Sequence, residues 1–240
     1  MKVVIAAAGQ GTRMLHLTKN KSKHLINVQR KPFLAYLFNN LLKAGYKDLI
    51  LVVGYRAELF KKFLQKYGYK AKIVNQYKIL GDKKKEYGTL CPIKCVEDII
   101  GKENFLAVYG DNLYSVKDLR HFNISDNFNY VAGFEHAHPE KYGVLVTDNG
   151  FLKKIVEKPK KFVGNLINTG LYKFTPEIFE KIPKVKKSYR GEYELTDAIT
   201  LLAKERKVKV KKIQDYWIDF GNPADIIKFS NFLKSSKNFK

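Results

Sequence analysis

The chain has 240 residues, 45% hydrophobic and 28% charged, and its 45 Lys and Arg against 23 Asp and Glu give a formal charge of +22. That makeup suits a globular protein able to bury a sizeable core, and no apolar run approaches the roughly 20 residues a membrane span needs. Lys2 is followed at once by a short β-rich run and glycines, not by the apolar core of a signal peptide, so the expectation is cytoplasmic residence with no membrane partner.

The lysines fall in short runs, at 83–85, 153–154, 160–161, 184–187 and 207–212, and none accompanies a nucleic-acid-binding motif. The excess therefore reads as a solvated surface whose field draws small phosphorylated ligands, with no nucleic acid as partner. Cys91 and Cys95 have neither a second pair nor clustered histidines beside them, which argues for two reduced thiols and against a zinc site.

In chain order, the first predicted strand is Val3–Ala7, which runs into Gly9-Gln10-Gly11-Thr12-Arg13. Phe33–Ala44 follows helical spacing through Leu34, Leu37, Phe38, Leu41 and Leu42, with Pro32 placed for its first turn and Gly45 for its stop. Further strands are expected at 48–53, 71–75 and 105–109, and helices at 57–66 and 89–100. None of these four strands alternates with polar residues, the pattern of a parallel sheet covered on both faces, and strand alternates with helix as in βαβ units. Past about residue 130 strands dominate, at 130–135, 143–147, 151–157 and 168–174, with Asp148-Asn149-Gly150 as a hairpin turn. A helix at 193–205, a lysine-alternating strand at 207–213 expected at a sheet edge, a short strand at 217–220 and a helix at 224–233 follow.

A strand that ends in glycines puts its loop at the carboxyl edge of the sheet, where α/β proteins bind ligands. Glycines let backbone N–H groups approach an anion closely, and Arg13 and Lys23 add a guanidinium fork and a point charge. The spacing is not GxxxxGK[ST], and Met14 stands where GxGxxG needs its third glycine. The phosphate site expected here is thus of neither the Walker nor the dinucleotide kind.

Taken together and in order, AAGQGTRM with Thr18, Ser22 and Lys23, then KPFLAYLFNNLLKAG, GYRAE at 54–58, YGDNLY at 109–114, EKP at 157–159, NTGLY at 168–172, GEYELTDAI at 191–199 and WIDFGNP at 217–223 resemble the sugar-1-phosphate nucleotidylyltransferases over nearly the whole chain. His16 and Ser22 stand where that family usually has proline, and the stretch 76–89 is longer than usual. The resemblance implies an α/β fold, a Rossmann-like three-layer sandwich with a mixed, mostly parallel central sheet. It implies one domain over 1–240, with residues 1–130 as nucleotide-binding half, 131–240 as sugar-binding half, and no C-terminal β-helix.

The reaction implied joins a sugar-1-phosphate to a nucleoside triphosphate, expelling pyrophosphate; glucose-1-phosphate with UTP or dTTP is the expected pair. Ala8, Gly9, Gly11, Thr12 and Arg13 would bind the nucleotide's phosphates, and Gln76, Gly88 and Thr89 its base end. Arg13, Lys23 and Asp111 would be catalytic, and Asp111 and Asp219 would hold Mg²⁺, whose preference is for carboxylate oxygens. Gly143, Glu157, Asn168 and Thr169 would contact the sugar, and Lys158 its phosphate. Glu192, Glu194 and Asp197 read as residues that start a helix, with Thr196 and Asp197 suited to its cap and first turn, and Trp217 reads as core. Two other readings stand beside this one: a CTP-dependent phosphocholine cytidylyltransferase, and a regulatory subunit that binds a sugar nucleotide without catalysis. The resemblance also implies self-association.

Overall fold

The computed structural model describes residues 1–81 and 86–236, so the lysine run at 83–85 falls outside the described residues. The elements in chain order are β1 (Lys2–Ala7), β2 (Asn27–Val28), β3 (Lys31–Pro32), α1 (Phe33–Lys43), β4 (Leu49–Val53), α2 (Ala57–Tyr67), β5 (Lys72–Asn75) and α3 (Gln76–Leu80). They continue with α4 (Cys91–Lys94), α5 (Glu97–Ile100), β6 (Phe105–Tyr109), β7 (Asn112–Tyr114), α6 (Val116–His121), β8 (Asn129–Glu135), β9 (Gly143–Asp148) and β10 (Phe151–Glu157). The last are β11 (Leu166–Phe174), α7 (Glu177–Lys181), α8 (Leu195–Lys204), β12 (Val208–Lys212), β13 (Trp217–Asp219) and α9 (Ala224–Ser235).

A nine-stranded sheet, ordered β5-β4-β1-β6-β11-β8-β12-β10-β9, runs through both halves of the chain. From β5 to β6 every pairing is parallel. At β6–β11 the sheet turns antiparallel, and from there only β12–β8 is parallel. Alternate residues of the first strands feed two cores. Val3 and Ile5 of β1, Leu51 of β4 and Val108 of β6 point toward α1, α2 and α9. Val4, Ile50, Val52 and Ala107 face Ile93, Ile100, Ile178 and Ile199 on the opposite side. A strand buried on both faces reads as a continuous apolar run, and the two cores make the three-layer α/β sandwich expected from the resemblance.

Two expectations fail here. The strand at 207–213 is not an edge. β12 lies between β8, with five parallel pairs, and β10. Its lysines leave through the solvent face, where the Nζ of Lys209 sits 3.7 Å from the Phe128 ring centroid, so the polar alternation records a half-covered face and says nothing about the edge. The expected helix at 89–100 is two single turns, α4 and α5, because Val96 leaves the helical region at φ −117°, ψ 4°.

β7 and β13 form a separate antiparallel ribbon above the carboxyl ends of the parallel strands, with Asp219 opposite Asn112 and Ile218 opposite Leu113. The far end of the sheet curls so that β9 pairs with β10 and also touches β11 through Val144 and Ile167. Ribbon and curl face each other across a cleft.

Candidate active site

β1 stops at Ala7, and the loop from Ala8 to Arg13 leaves the sheet there. Its back is supported by the turn after β4: the Tyr55 hydroxyl donates to the Lys19 carbonyl at 2.8 Å, and a side chain on Gly54 would collide with the Ala8 carbonyl oxygen at 2.8 Å. Ser22, where proline was expected, is fully buried, and its Oγ lies 2.7 Å from His24 Nδ1. A side-chain hydrogen bond thus does here what a ring would do for stiffness. Burial, and then the neighbouring Lys23, push the His24 imidazole down to about 3, so it stays neutral. His16 is exposed and contributes no such brace.

The turn after β6 brings Asp111 to the same place. The Gly110 amide donates to Ala6 O at 2.9 Å, which pins that turn to β1. Lys23 Nζ donates to Asp111 Oδ2 as a close, largely buried ion pair. Burial works against an ionised Asp111, but the Lys23 charge and hydrogen bond, together with His24 and a backbone N–H, hold the carboxyl below its usual range. Asp219, 108 positions later in the sequence, arrives through the β7–β13 ribbon, whose next rung is the Phe220 amide donating to Asp111 O at 2.9 Å. Burial, and then the charge of Asp111, push Asp219 up to about 6. Arg13 makes no ion pair among the described residues and stands open to the cleft.

The residues expected at the base end sit on a second wall. Gln76 follows Asn75, whose side chain accepts the Tyr77 and Lys78 amides and so caps α3. Gln76 is 1% exposed, and its Oε1 has no hydrogen-bond partner among the described residues. Gly88 has φ +138°, and a Cβ there would lie 2.1 Å from the Tyr193 carbonyl oxygen. The loop is stitched to that residue from both sides, Tyr193 N–H to Tyr87 O and Leu90 N–H to Tyr193 O. Thr89 Oγ1 accepts the Leu195 amide at 2.9 Å.

In the second half, Asn168, Thr169 and Gly170 form a bulge where the β11–β8 register shifts. A bulge re-aims side chains. Gly170 takes φ +75° directly over the Tyr109 ring, where a Cβ would come within 2.2 Å. The Asn168 amide donates to the Tyr172 hydroxyl at 2.8 Å and its oxygen accepts the Gly170 amide at 3.1 Å, so the group is fixed in place. Gly143 leaves the space that the Glu157 carboxylate uses, since a Cβ there would fall 2.8 Å from Oε2. Lys158 has a left-handed φ of 45°, held by its amide donating to Tyr142 O at 2.9 Å. Burial, with Glu194 adding to it, raises the Glu157 carboxyl above its ordinary value.

All of these residues line one cleft of about 540 Å³: Ala8, Gly9, Gly11, Thr12, Arg13, Lys23, Gln76, Gly88, Thr89, Asp111, Gly143, Glu157, Lys158, Asn168, Thr169 and Asp219. Sequence reasoning missed several of their neighbours. Glu194, set aside as a helix starter, does sit at the start of α8, yet its carboxylate accepts hydrogen bonds from Arg190 (2.8 Å) and Ser188 (3.0 Å) on the cleft wall. Thr196 is not the cap and Asp197 does lie in the first turn. Trp217, read as core, is half-exposed, lines the cleft and donates its indole N–H to Thr169 O at 3.1 Å. Arg190 and Lys141 are further cations there; among so many scattered lysines and arginines no pattern singles them out. The donor set at the centre, two carboxylates, fits a hard cation that takes oxygen ligands and keeps room for phosphate.

A family model described as nucleotidyl transferase matches residues 2–236. The bifunctional sugar-1-phosphate nucleotidylyltransferase/acetyltransferase of Sulfurisphaera tokodaii is 36% identical over 229 residues, 95% of this chain and 54% of that protein, so the chain spans about half the length of that relative. The UTP–glucose-1-phosphate uridylyltransferase AglF of Haloferax volcanii is 34% identical over 237 residues, 94% of this chain and 93% of its own length. A solved UDP-glucose pyrophosphorylase complexed with UDP-glucose matches with a TM-score of 0.82 at 26% identity, over 98% of this chain and 99% of that one. With the fold, the ordered motifs and these matches in agreement, the chain belongs to the nucleotidyl transferase family, within its sugar-1-phosphate nucleotidylyltransferases.

Proposed function

We infer that this chain transfers a nucleotidyl group from UTP or dTTP to a sugar-1-phosphate, with glucose-1-phosphate as the sugar, releasing pyrophosphate. One observation supports this most: the two loop cations and two carboxylates 108 positions apart in the sequence share one cleft with a polar bulge suited to hydroxyl groups. The attacking group is a phosphate oxygen of the sugar-1-phosphate. It forms a bond to the α-phosphorus of the triphosphate while the bond to the bridging oxygen breaks and pyrophosphate leaves with that electron pair. Two anions must meet, so the protein's work is positioning and charge neutralisation.

In this reading the Gly9–Thr12 backbone and Arg13 hold the departing phosphates. Lys23 gives up Asp111 and turns to the phosphates as they enter. Asp111 and Asp219 would hold Mg²⁺, which when bound neutralises phosphate charge at the reacting centre. The unpaired Gln76 Oε1 accepts the imide N–H of uracil or thymine. Glu157 and Asn168 take sugar hydroxyls, Lys158 takes the sugar's phosphate, and Gly143 and Thr169 shape the floor. One domain, a cytoplasmic setting and self-association belong to the same reading.

The test is pyrophosphate release by the purified chain with UTP, dTTP, CTP, GTP and ATP against glucose-, N-acetylglucosamine-, mannose- and galactose-1-phosphate and phosphocholine, with and without Mg²⁺. Activity is expected first with UTP or dTTP and glucose-1-phosphate. A best rate with CTP and phosphocholine would favour the choline reading, and no rate with any pair would leave only a binding protein.

A further inference from the structure

Beside the two aspartates stands a residue that neither sequence nor family motif assigned. Asn112 follows Asp111, opens β7 and is the strand partner of Asp219 across the ribbon. It is 5% exposed and lines the cleft. Its Nδ2 donates to Asp111 Oδ1 at 3.2 Å. That bond decides which way the amide faces, because an amide oxygen turned toward the carboxylate would set acceptor against acceptor. The amide oxygen, Oδ1, is left buried with no hydrogen-bond partner among the described residues.

A buried carbonyl oxygen without a partner is costly and uncommon, and it calls for whatever satisfies it when the site is in use. Its amide N–H is on the Asp111 carboxylate and its strand partner is Asp219, so the free oxygen belongs to the same group of oxygen donors. Asp111 and Asp219 have no third His, Cys, Asp or Glu with which to complete a ligand cluster among the described residues. A side-chain amide oxygen is an ordinary ligand for hard divalent cations, and it adds no charge to repel the incoming phosphates.

We propose that Asn112 is a third protein ligand of the divalent-cation site, through Oδ1, while its amide N–H holds Asp111 in orientation. The proposal rests on the cation site inferred above for Asp111 and Asp219.

Mn²⁺ binding to the full-length chain, followed by the loss of the free-ion EPR signal with and without α,β-methylene-UTP, tests it without catalysis. Asn112→Leu, close in shape but without the oxygen, is expected to weaken Mn²⁺ binding by about tenfold or more. Asn112→Asp, which keeps an oxygen and gains charge, is expected to tighten it by severalfold. A residue that only oriented Asp111 would give the opposite sign for Asn112→Asp, since the N–H is lost and a repelling carboxylate gained. The proposal is overturned if Asn112→Leu, folded by circular dichroism, binds Mn²⁺ within twofold of the parent, or if Asn112→Asp binds no more tightly; should the leucine variant not fold, the aspartate variant decides alone. Loss of Mn²⁺ in Asp111→Asn alongside parental affinity in Asn112→Leu would remove Asn112 and leave the two-aspartate site standing. A parent chain that takes up no Mn²⁺ in either condition would remove both.

Discussion

Between β5 and β6 the sheet is parallel and buried on both faces, and it meets the cleft with a glycine loop and with charged side chains, Arg13, Lys23 and Asp111, at the ends of strands that cannot shift without disturbing two cores. Past β11 the sheet is largely antiparallel and curled, and it meets the cleft with side chains: Glu157, Asn168 and Lys158, aimed by a bulge and by a left-handed turn. The first arrangement suits a ligand part that is always the same, a run of phosphates. The second suits a part that differs between substrates, because single side chains can change while strand pairing is kept. The β7–β13 ribbon, like the β6–β11 pairing beneath it, takes one strand from each half and so joins the two across the cleft.

The largest effects should come from the loop cations. Arg13→Met and Lys23→Met are each expected to lower kcat by about 10²–10³-fold, since each removes charge stabilisation aimed at the reacting phosphates; the thermal midpoint should change little for the exposed Arg13 and fall for Lys23, whose loss leaves Asp111 buried without its partner. An Arg13 variant that lost stability in proportion to activity would make that residue structural. Next comes the loop proposed for the base end. Gly88→Ala puts a side chain at φ +138° against the Tyr193 backbone; about 1–3 kcal/mol of strain is expected, read by thermal melting, together with a raised KM for nucleotide. A melting curve unchanged from the parent would contradict the geometry at this position.

The second half should separate cleanly from the first. Glu157→Ala and Asn168→Ala are expected to raise the KM for sugar-1-phosphate by about tenfold, the worth of one good hydrogen bond to a charged or fixed group, and to leave the nucleotide KM near the parental value. Equal changes in both constants would erase the division between halves. The smallest effect concerns pH. The unfolded chain protonates His24 near 6.5, whereas the folded chain resists to about 3. Stability supplied by neutral His24 is therefore present above pH 6.5 and falls as pH drops from there toward 3. Thermal midpoints at pH 7 and pH 5 should differ more for the parent than for His24→Gln.

The parallel strands and the opening loop were legible in the sequence because burial on both faces and glycine after a strand leave local signatures. The cleft residues assembled from distant motifs were legible only through the resemblance, as nothing local links Asp111 to Asp219. β12 was misplaced because lysine alternation reports one exposed face, a condition that an interior strand of a sheet with one solvated face also meets. Glu194 and Arg190 were missed because a helix start and a surface cation look the same in sequence whether or not a cleft opens beside them. Trp217 was read as core, and it does pack against the core while its other side lines the cleft, with its indole N–H bound to Thr169 O.

The most direct measurement is a double-mutant cycle on pyrophosphate release with Asp111→Asn, Asp219→Asn and the pair, at saturating Mg²⁺. If both carboxylates serve one ion across the ribbon, either single change should cost nearly as much as the two together, since residues acting as a unit are far from additive. Losses that simply multiply, or one aspartate that can be replaced without effect, would mean that the ribbon brings the two side chains close without giving them a common task.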